Sequence, residues 1–189
     1  QGVNITTGPN GEVYAVWAVT YGGGDEDAIG FGKSYDGGET WETAYTIIDN
    51  IRGIRASGVP QNMRVNSFPV IACDIRDGEN SGNLYAVWTN IGTPGQNTGS
   101  DRRVYMIRST DEGANWSDPI QVNQSENDNG YVSYFPWIDV DPSTGVVSVI
   151  FYDNRSSGTT LTEAWCAVSS DAGDTCEDFR VSDVAFTPA

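Results

Sequence analysis

The chain is 189 residues and 20.4 kDa, room for one domain with a real core or for a piece of a larger repeating one, and too short for several independent domains. Its 26 acidic residues against 10 basic ones give a net charge of -16, which excludes a clustered basic surface for nucleic acid and works against membrane association. With no histidine anywhere, Ser-His-Asp and Cys-His nucleophilic catalysis, histidine-based zinc chemistry and histidine pH switching are all excluded.

Residues 1–7 lack the basic start and apolar stretch of a leader, so export implies a leader upstream or already removed. No apolar run approaches the roughly 18 residues that span a bilayer. From Glu12 the run EVYAVWAVT reads as a strand, followed by the acidic loop GGGDEDA (22–28) and the octamer SYDGGETW (34–41). A link NIRGIRASGVPQNMRVN from Asn50 then leads to SFPVIACD from Ser67, the turn region DIRDGEN (74–80), and the run NLYAVWTNI from Asn83. A second octamer, STDEGANW (109–116), precedes the acidic loop SENDNG (125–130). The third passage holds YFPWIDVD from Tyr134, VVSVIFYDN from Val146 and the octamer SSDAGDTC (169–176).

Three markers thus recur in one order: F-P-x-I-x-x-D, a β-rich run with Trp17, Trp88 or Phe151 at a matching place, and S-x-D-x-G-x-x-(W or C). They return at intervals of about 60 to 75 residues, with turn signals between short strands and no trustworthy helical period. The chain is therefore predicted to be all-β, built of antiparallel four-stranded units A to D. In the second unit these are 67–75, 83–91, 102–110 and 117–123; in the third, 134–141, 146–154, 162–170 and 178–182; residues 2–6 supply the first A strand. Units of this kind fit propeller blades, about three of them, over 1–50, 51–124 and 125–183 of a single segment 1–189.

The octamers resemble the Asp-box, or bacterial neuraminidase repeat, of sialidase-like β-propellers, and the resemblance covers nearly the whole chain. It is closest to secreted bacterial Asp-box proteins, through RVNSFP from Arg64, YFPWIDV from Tyr134 and FYDNR from Phe151. It implies a structural role for Asp36, Gly38, Trp41, Asp111, Gly113, Trp116, Asp171 and Gly173, a secreted or cell-surface location, and a face opposite the boxes for any active site. In such turns the carboxylate accepts backbone N–H bonds, the glycine allows φ > 0 and the aromatic ring packs beneath.

If the strands run alternately up and down, the B-to-C loops and D-to-A links share one face. Six of the nine arginines map there: Arg52, Arg55, Arg64, Arg102, Arg103 and Arg155, with Tyr21, Tyr131, Tyr134 and Tyr152 on or beside it. Guanidinium forks beside flat rings suit acidic glycans; Arg52, Arg55, Arg64 and Arg155 could instead pair with carboxylates such as Asp49 or Asp153 and order the loops. Arg52, Arg55, Arg64, Arg102, Arg103, Arg155 and Tyr152 are the candidate ligand contacts.

Sialidases as a family clamp a substrate carboxylate with an arginine triad and use a Tyr nucleophile activated by Glu, with Asp as acid/base. Their early arginine precedes a proline in an F/Y-R-I-P motif, and neither 67–71 nor 134–138 has that arginine. No Tyr and Glu pair is evident from spacing: Glu163 could approach Tyr152 across a hairpin, but it begins a strand and reads equally as an exposed residue. No catalytic residue is therefore assigned, and a non-catalytic scaffold or glycan-binding module is expected, with part of an exo-sialidase or another glycoside-processing propeller enzyme as the alternative. The acidic loops hold enough oxygen ligands for calcium without EF-hand spacing; no other cofactor is expected. Cys166 and Cys176 are close enough in sequence to invite a bridge, left open here, while Cys73 reads as a buried thiol. Three blades leave two apolar sheet faces to be covered, by further blades of a longer chain or by a second copy.

Overall fold

The computed structural model describes residues 1–125, 130–158 and 160–188. Among these, twelve strands form three four-stranded antiparallel sheets. The first holds β1 (Asn4–Thr7), β2 (Val13–Val19), β3 (Ala28–Ser34) and β4 (Tyr45–Ile48). The second holds β5 (Val70–Cys73), β6 (Leu84–Ile91), β7 (Arg102–Ser109) and β8 (Ile120–Gln121), and the third β9 (Ser133–Val140), β10 (Val147–Asp153), β11 (Glu163–Ser169) and β12 (Glu177–Arg180). Each sheet is ordered as the chain runs, so every connection is a hairpin or a link to the next sheet.

The four-stranded units stand where the repeats place them, but inner and outer strands are shorter than expected. β5 begins at Val70 because Pro69 has no N–H to donate, and the Ser67 N–H goes to a side chain of a neighbouring loop. β9 keeps its length with Pro136 inside by a bulge opposite β10, where Phe135 takes a φ of 52°. The second sheet's outer strand is reduced to two residues, which leaves little unpaired edge.

Alternate residues of each strand pack against alternate neighbours. Tyr14, Val16, Ile29 and Phe31 of the first sheet meet Ile71, Leu84, Ala86, Trp88 and Ile107 of the second. The opposite side of the second, with Val70, Tyr85, Val87, Val104 and Met106, meets Ile138, Val140, Val147, Val149 and Phe151 of the third. β6 is buried at all eight positions because it has a sheet on both sides.

The three octamers fold alike. Ser34, Ser109 and Ser169 accept the N–H of Gly38, Gly113 and Gly173 through Oγ, and Oδ1 of Asp36, Asp111 and Asp171 accepts the N–H four residues on. The other carboxylate oxygen takes the side chain of Thr40, Asn115 or Thr175. Those bonds hold the Asp36 carboxyl down at about 2 and lower Asp111 and Asp171 as well, the side-chain bond leading in each case. The glycines lie at φ 95°, 86° and 85°, the left-handed region that favours them. Trp116 packs edge-on against Phe31 of the preceding sheet, and Cys176 packs against the cluster between the second and third sheets.

All three cysteines are free. Cys166 points away from the second sheet, opposite Phe179 and Ile150, whereas Cys176 faces it, so the two thiols lie on opposite sides of their sheet and do not bridge. Cys73 is buried, and burial pushes its thiol up to about 12.

Candidate functional site

The alternation of strands places loops 20–27, 92–101 and the described residues of 154–162 on one face with the link 49–69 and with residues 122–125 and 130–132, opposite the octamers. The contacts between them are dense. Asn97 Nδ2 donates to the Asn50 carbonyl at 2.8 Å and Asn50 Nδ2 to the Gly95 carbonyl at 2.6 Å, tying the first link to the second loop.

The acidic loop 22–28 is a clamp on that link. Asp25 Oδ1 accepts the N–H of Ala56 and Ser57 at 2.7 and 2.9 Å, and Oδ2 accepts Ser57 Oγ. Glu26, fully buried, accepts the Ser67 N–H at 3.1 Å and the Arg55 N–H at 3.4 Å. A side chain at Gly53 would collide with that carboxylate, which is why the link passes there as glycine. Backbone N–H groups thus take the Asp25 and Glu26 carboxylates, while Gly22, Gly23 and Gly24 of the same loop stay exposed. In the region 74–80, Asp74 is buried against Arg76 at 2.7 Å, and Arg76 reaches on to the Thr144 carbonyl of the third sheet. Burial alone would raise the Asp74 carboxyl, but the Arg76 guanidinium outweighs it and holds it low. Of the loop 125–130, residues 126–129 lie outside the described residues. Among the described residues no group of three His, Cys, Asp or Glu side chains converges as a metal site.

The candidate arginines divide into two sets. Arg102 donates to the carbonyls of Gly58, Ser100 and Ser57, and so holds the link by its backbone. Arg103, 1% exposed, pairs with Asp101 at 2.8 Å and donates to the Tyr131 carbonyl; burial pulls its guanidinium below the usual value against the raising influence of Asp101 and Asp153. Arg155 bridges Asp153 at 2.8 Å and Asp178 at 2.7 Å and lies over the Trp165 ring at 4.0 Å. These three are positioned as internal struts, the ordering role that the sequence left open for Arg155 alone. Arg52, Arg55 and Arg64, all on the link 49–69, are exposed; Arg55 reaches Gln1 Oε1 at 2.6 Å.

Tyr152 is half-buried, edge-on to Tyr134 and Phe186, and reads as packing. It does not meet Glu163. Tyr152 pairs with Ala164 and Asp153 with Glu163, and neighbouring residues of a strand point to opposite faces, so the two side chains diverge. Glu163 is buried, accepting Trp165 Nε1 at 3.1 Å and pairing with Arg180 at 3.4 Å. A hydrogen-bonded Tyr–Glu pair does occur, Tyr35 Oη to Glu112 at 3.0 Å, but on the octamer face.

Two cavities were not foreseen. One, of about 370 Å³, opens between loop 92–101 and strands β7 and β8; Thr93, Thr98, Asp101, Arg103, Tyr105 and Gln121 line it, a polar wall. Asn90 joins it to the link, accepting the Arg52 N–H at 2.8 Å and donating to the Gly92 carbonyl at its rim. The other, of about 410 Å³, lies along the inner strands, where Phe68–Pro69 and Phe135–Pro136 meet Val3, Asn4 and Trp137. The repeated F-P pairs were the signal for it; the polar cavity has no local signal, since its wall comes from one loop and two strands.

No family model and no curated protein matches the chain. Solved structures do. A Hadza microbial sialidase superposes over 93% of this chain and 36% of its own, with a TM-score of 0.64 at 20% identity. The GH93 α-L-arabinofuranosidase of Fusarium graminearum covers 98% of this chain and 48% of its own, at 0.62 and 15%. The intramolecular trans-sialidase of Ruminococcus gnavus covers 97% and 60%, at 0.61 and 12%. The chain thus spans between 36% and 60% of the length of these three. Its three sheets are three consecutive blades of the β-propeller fold seen in these glycosidases.

Proposed function

We propose that this chain is a segment of an extracellular, sialidase-like propeller of the Asp-box kind, whose loop face binds acidic glycans without cleaving them. The observation that carries the reading is the link 49–69: Arg52, Arg55 and Arg64 stand exposed on it in a chain of net charge -16, while Arg102, Arg103 and Arg155 are held internally. Guanidinium forks take carboxylate or sulfate groups bidentately, where a lysine would act only as a point charge. The polar cavity beside Asn90 supplies partners for sugar hydroxyls. Secretion rests on the octamer resemblance. A binding role is favoured over a catalytic one because the Tyr35–Glu112 pair lies on the far face and Tyr152 and Glu163 diverge.

Binding of the chain to sialylated, sulfated and neutral glycans side by side tests this. Acidic glycans are expected to bind with strong salt dependence, and Arg52→Ala or Arg64→Ala to weaken them about tenfold, a loss of roughly 1.4 kcal/mol. Absence of binding to every class would remove the reading and leave a structural module whose face a partner covers. The glycosidase neighbours favour a second reading, a part of a glycoside-processing enzyme; turnover of aryl sialosides or aryl arabinofuranosides would establish it.

A further inference from the structure

The polar cavity of about 370 Å³ is built by one sheet alone, from β7, β8 and the loop 92–101 that joins β6 to β7. Its frame is fixed by the protein itself. The Gly92 N–H donates to the Asp101 carbonyl at 2.8 Å and closes the base of the loop, while the N–H groups of Gln96 and Asn97 share the Thr93 carbonyl at 3.1 and 2.7 Å. Gly92 stands at φ 71°, and a Cβ there would overlap the Thr98 carbonyl, so the loop closes only over glycine. From outside, the Gly95 N–H donates to the Asn50 carbonyl at 3.0 Å. A cavity held in this way is preformed, and a ligand entering it orders little of the protein.

The wall selects the kind of ligand. Thr93 and Thr98 bring hydroxyls, and Gln121, whose Nε2 donates to the Asn123 carbonyl at 2.7 Å, brings Oε1 as an acceptor. Tyr105, packed on Trp88 with ring centroids 6.1 Å apart, adds a fixed aromatic ring. Among the described residues of the wall two are charged, Asp101 and Arg103, one of each sign and paired at 2.8 Å. An ion of either sign would meet its own charge beside the opposite one, and an apolar ligand would cut both off from water at a cost in desolvation. Uncharged hydroxyl groups fit both: the carboxylate accepts from them and the guanidinium donates to them, in charge-assisted bonds stronger than neutral ones. The volume lies at the low end of the roughly 300 to 1,000 Å³ of small-molecule sites, which suits a single sugar ring.

We propose that this cavity is a subsite for one uncharged sugar unit, separate from the arginines of the link 49–69. The pairing that withdraws Arg103 from an acidic ligand is what equips it for a neutral one. The loop face then reads two chemistries with different residues, an acidic group on Arg52, Arg55 and Arg64 and a neutral ring between Asp101, Arg103 and Gln121. This deepens the glycan reading, and rests on it in taking the ligand to be a sugar.

Backbone amide NMR shifts of the 189-residue chain test it, in titrations with neutral methyl hexosides, N-acetylhexosaminides and an arabinofuranoside. Each hexoside is run beside its uronide, which differs from it by one carboxylate. At least one neutral glycoside is expected to shift the amides of Thr93, Thr98, Gly99 and Gln121 saturably and with little salt dependence. Thr98→Trp fills the cavity from an exposed position and should weaken that glycoside at least about tenfold, with the fold checked by circular dichroism. Arg52→Ala and Arg64→Ala should leave it unchanged. Asp101→Asn keeps the shape of the wall and unbalances its charge, so it should turn the preference toward the uronides. No saturable shift in the cavity with any neutral glycoside up to about 100 mM, shifts indifferent to Thr98→Trp, or uronides bound as tightly as their hexosides would each overturn the subsite. Neutral binding that persists while acidic glycans fail to bind the link would leave the subsite standing and remove only the acidic reading.

Discussion

Arg155 shows most plainly what a single residue does here. It lies between Asp153, which is fully buried, and Asp178, with the Trp165 ring beneath it. Arg155→Ala removes the guanidinium from the buried Asp153 carboxylate and leaves it only the Ser133 hydroxyl and the backbone N–H of residue 155, so unfolding by denaturant should show a loss of about 3 kcal/mol. A loss below 1 kcal/mol would mean the pair is solvated. At Asp36 the sign of the pH dependence follows from the same logic. Its carboxyl is lowered from 3.8 to about 2 by Thr40 and Ser34, so its contribution is complete above about pH 4 and disappears as pH falls toward 2. Asp36→Asn should flatten the melting temperature against pH across that window; an unchanged slope would place the acid sensitivity elsewhere. The role of Asp36 was legible in its octamer because the bonded partners lie within six residues. The partner of Arg155 in β12 was not, since Asp178 is reached only by the sheet.

At the scale of elements, loop 22–28 and link 49–69 act as one unit through Glu26 and Asp25. Glu26→Ala removes the acceptor for the Ser67 and Arg55 amides, and hydrogen exchange at those two positions should speed while the β6 amides stay protected. Equal acceleration in β6 would show that the link unfolds only with the whole molecule. The sequence DEDA reads as exposed charge or a cation site, and no local pattern distinguishes either from a carboxylate that accepts N–H groups about 30 to 40 residues away. Strand identity was legible because alternation and turn residues are local. Strand ends were not: β5 begins at Val70 because Pro69 has no N–H to donate and the Ser67 N–H bonds to Glu26 of loop 22–28, a tertiary decision.

Over the whole molecule, the net charge of -16 opposes compaction. Raising sodium chloride from about 10 mM to 150 mM shortens the screening length from roughly 30 to 8 Å and should raise the melting temperature. Calcium chloride at equal ionic strength should do the same and no more; a rise specific to calcium at micromolar levels would reveal a resident ion.

The sequence by itself determined the all-β class, the three four-stranded units, the octamer turns and which arginines share a face, because each is written in short-range periodicity or a repeated motif. Only the tertiary structure decided which of those arginines remain available. Arg103 and Arg155 are withdrawn into buried pairs and Arg102 into carbonyl contacts, while Arg52, Arg55 and Arg64 are left to solvent. The physical reason is that a charged side chain carries no mark of its partner: whether it is a strut or a contact depends on groups brought from other strands and loops, and on the water their packing removes.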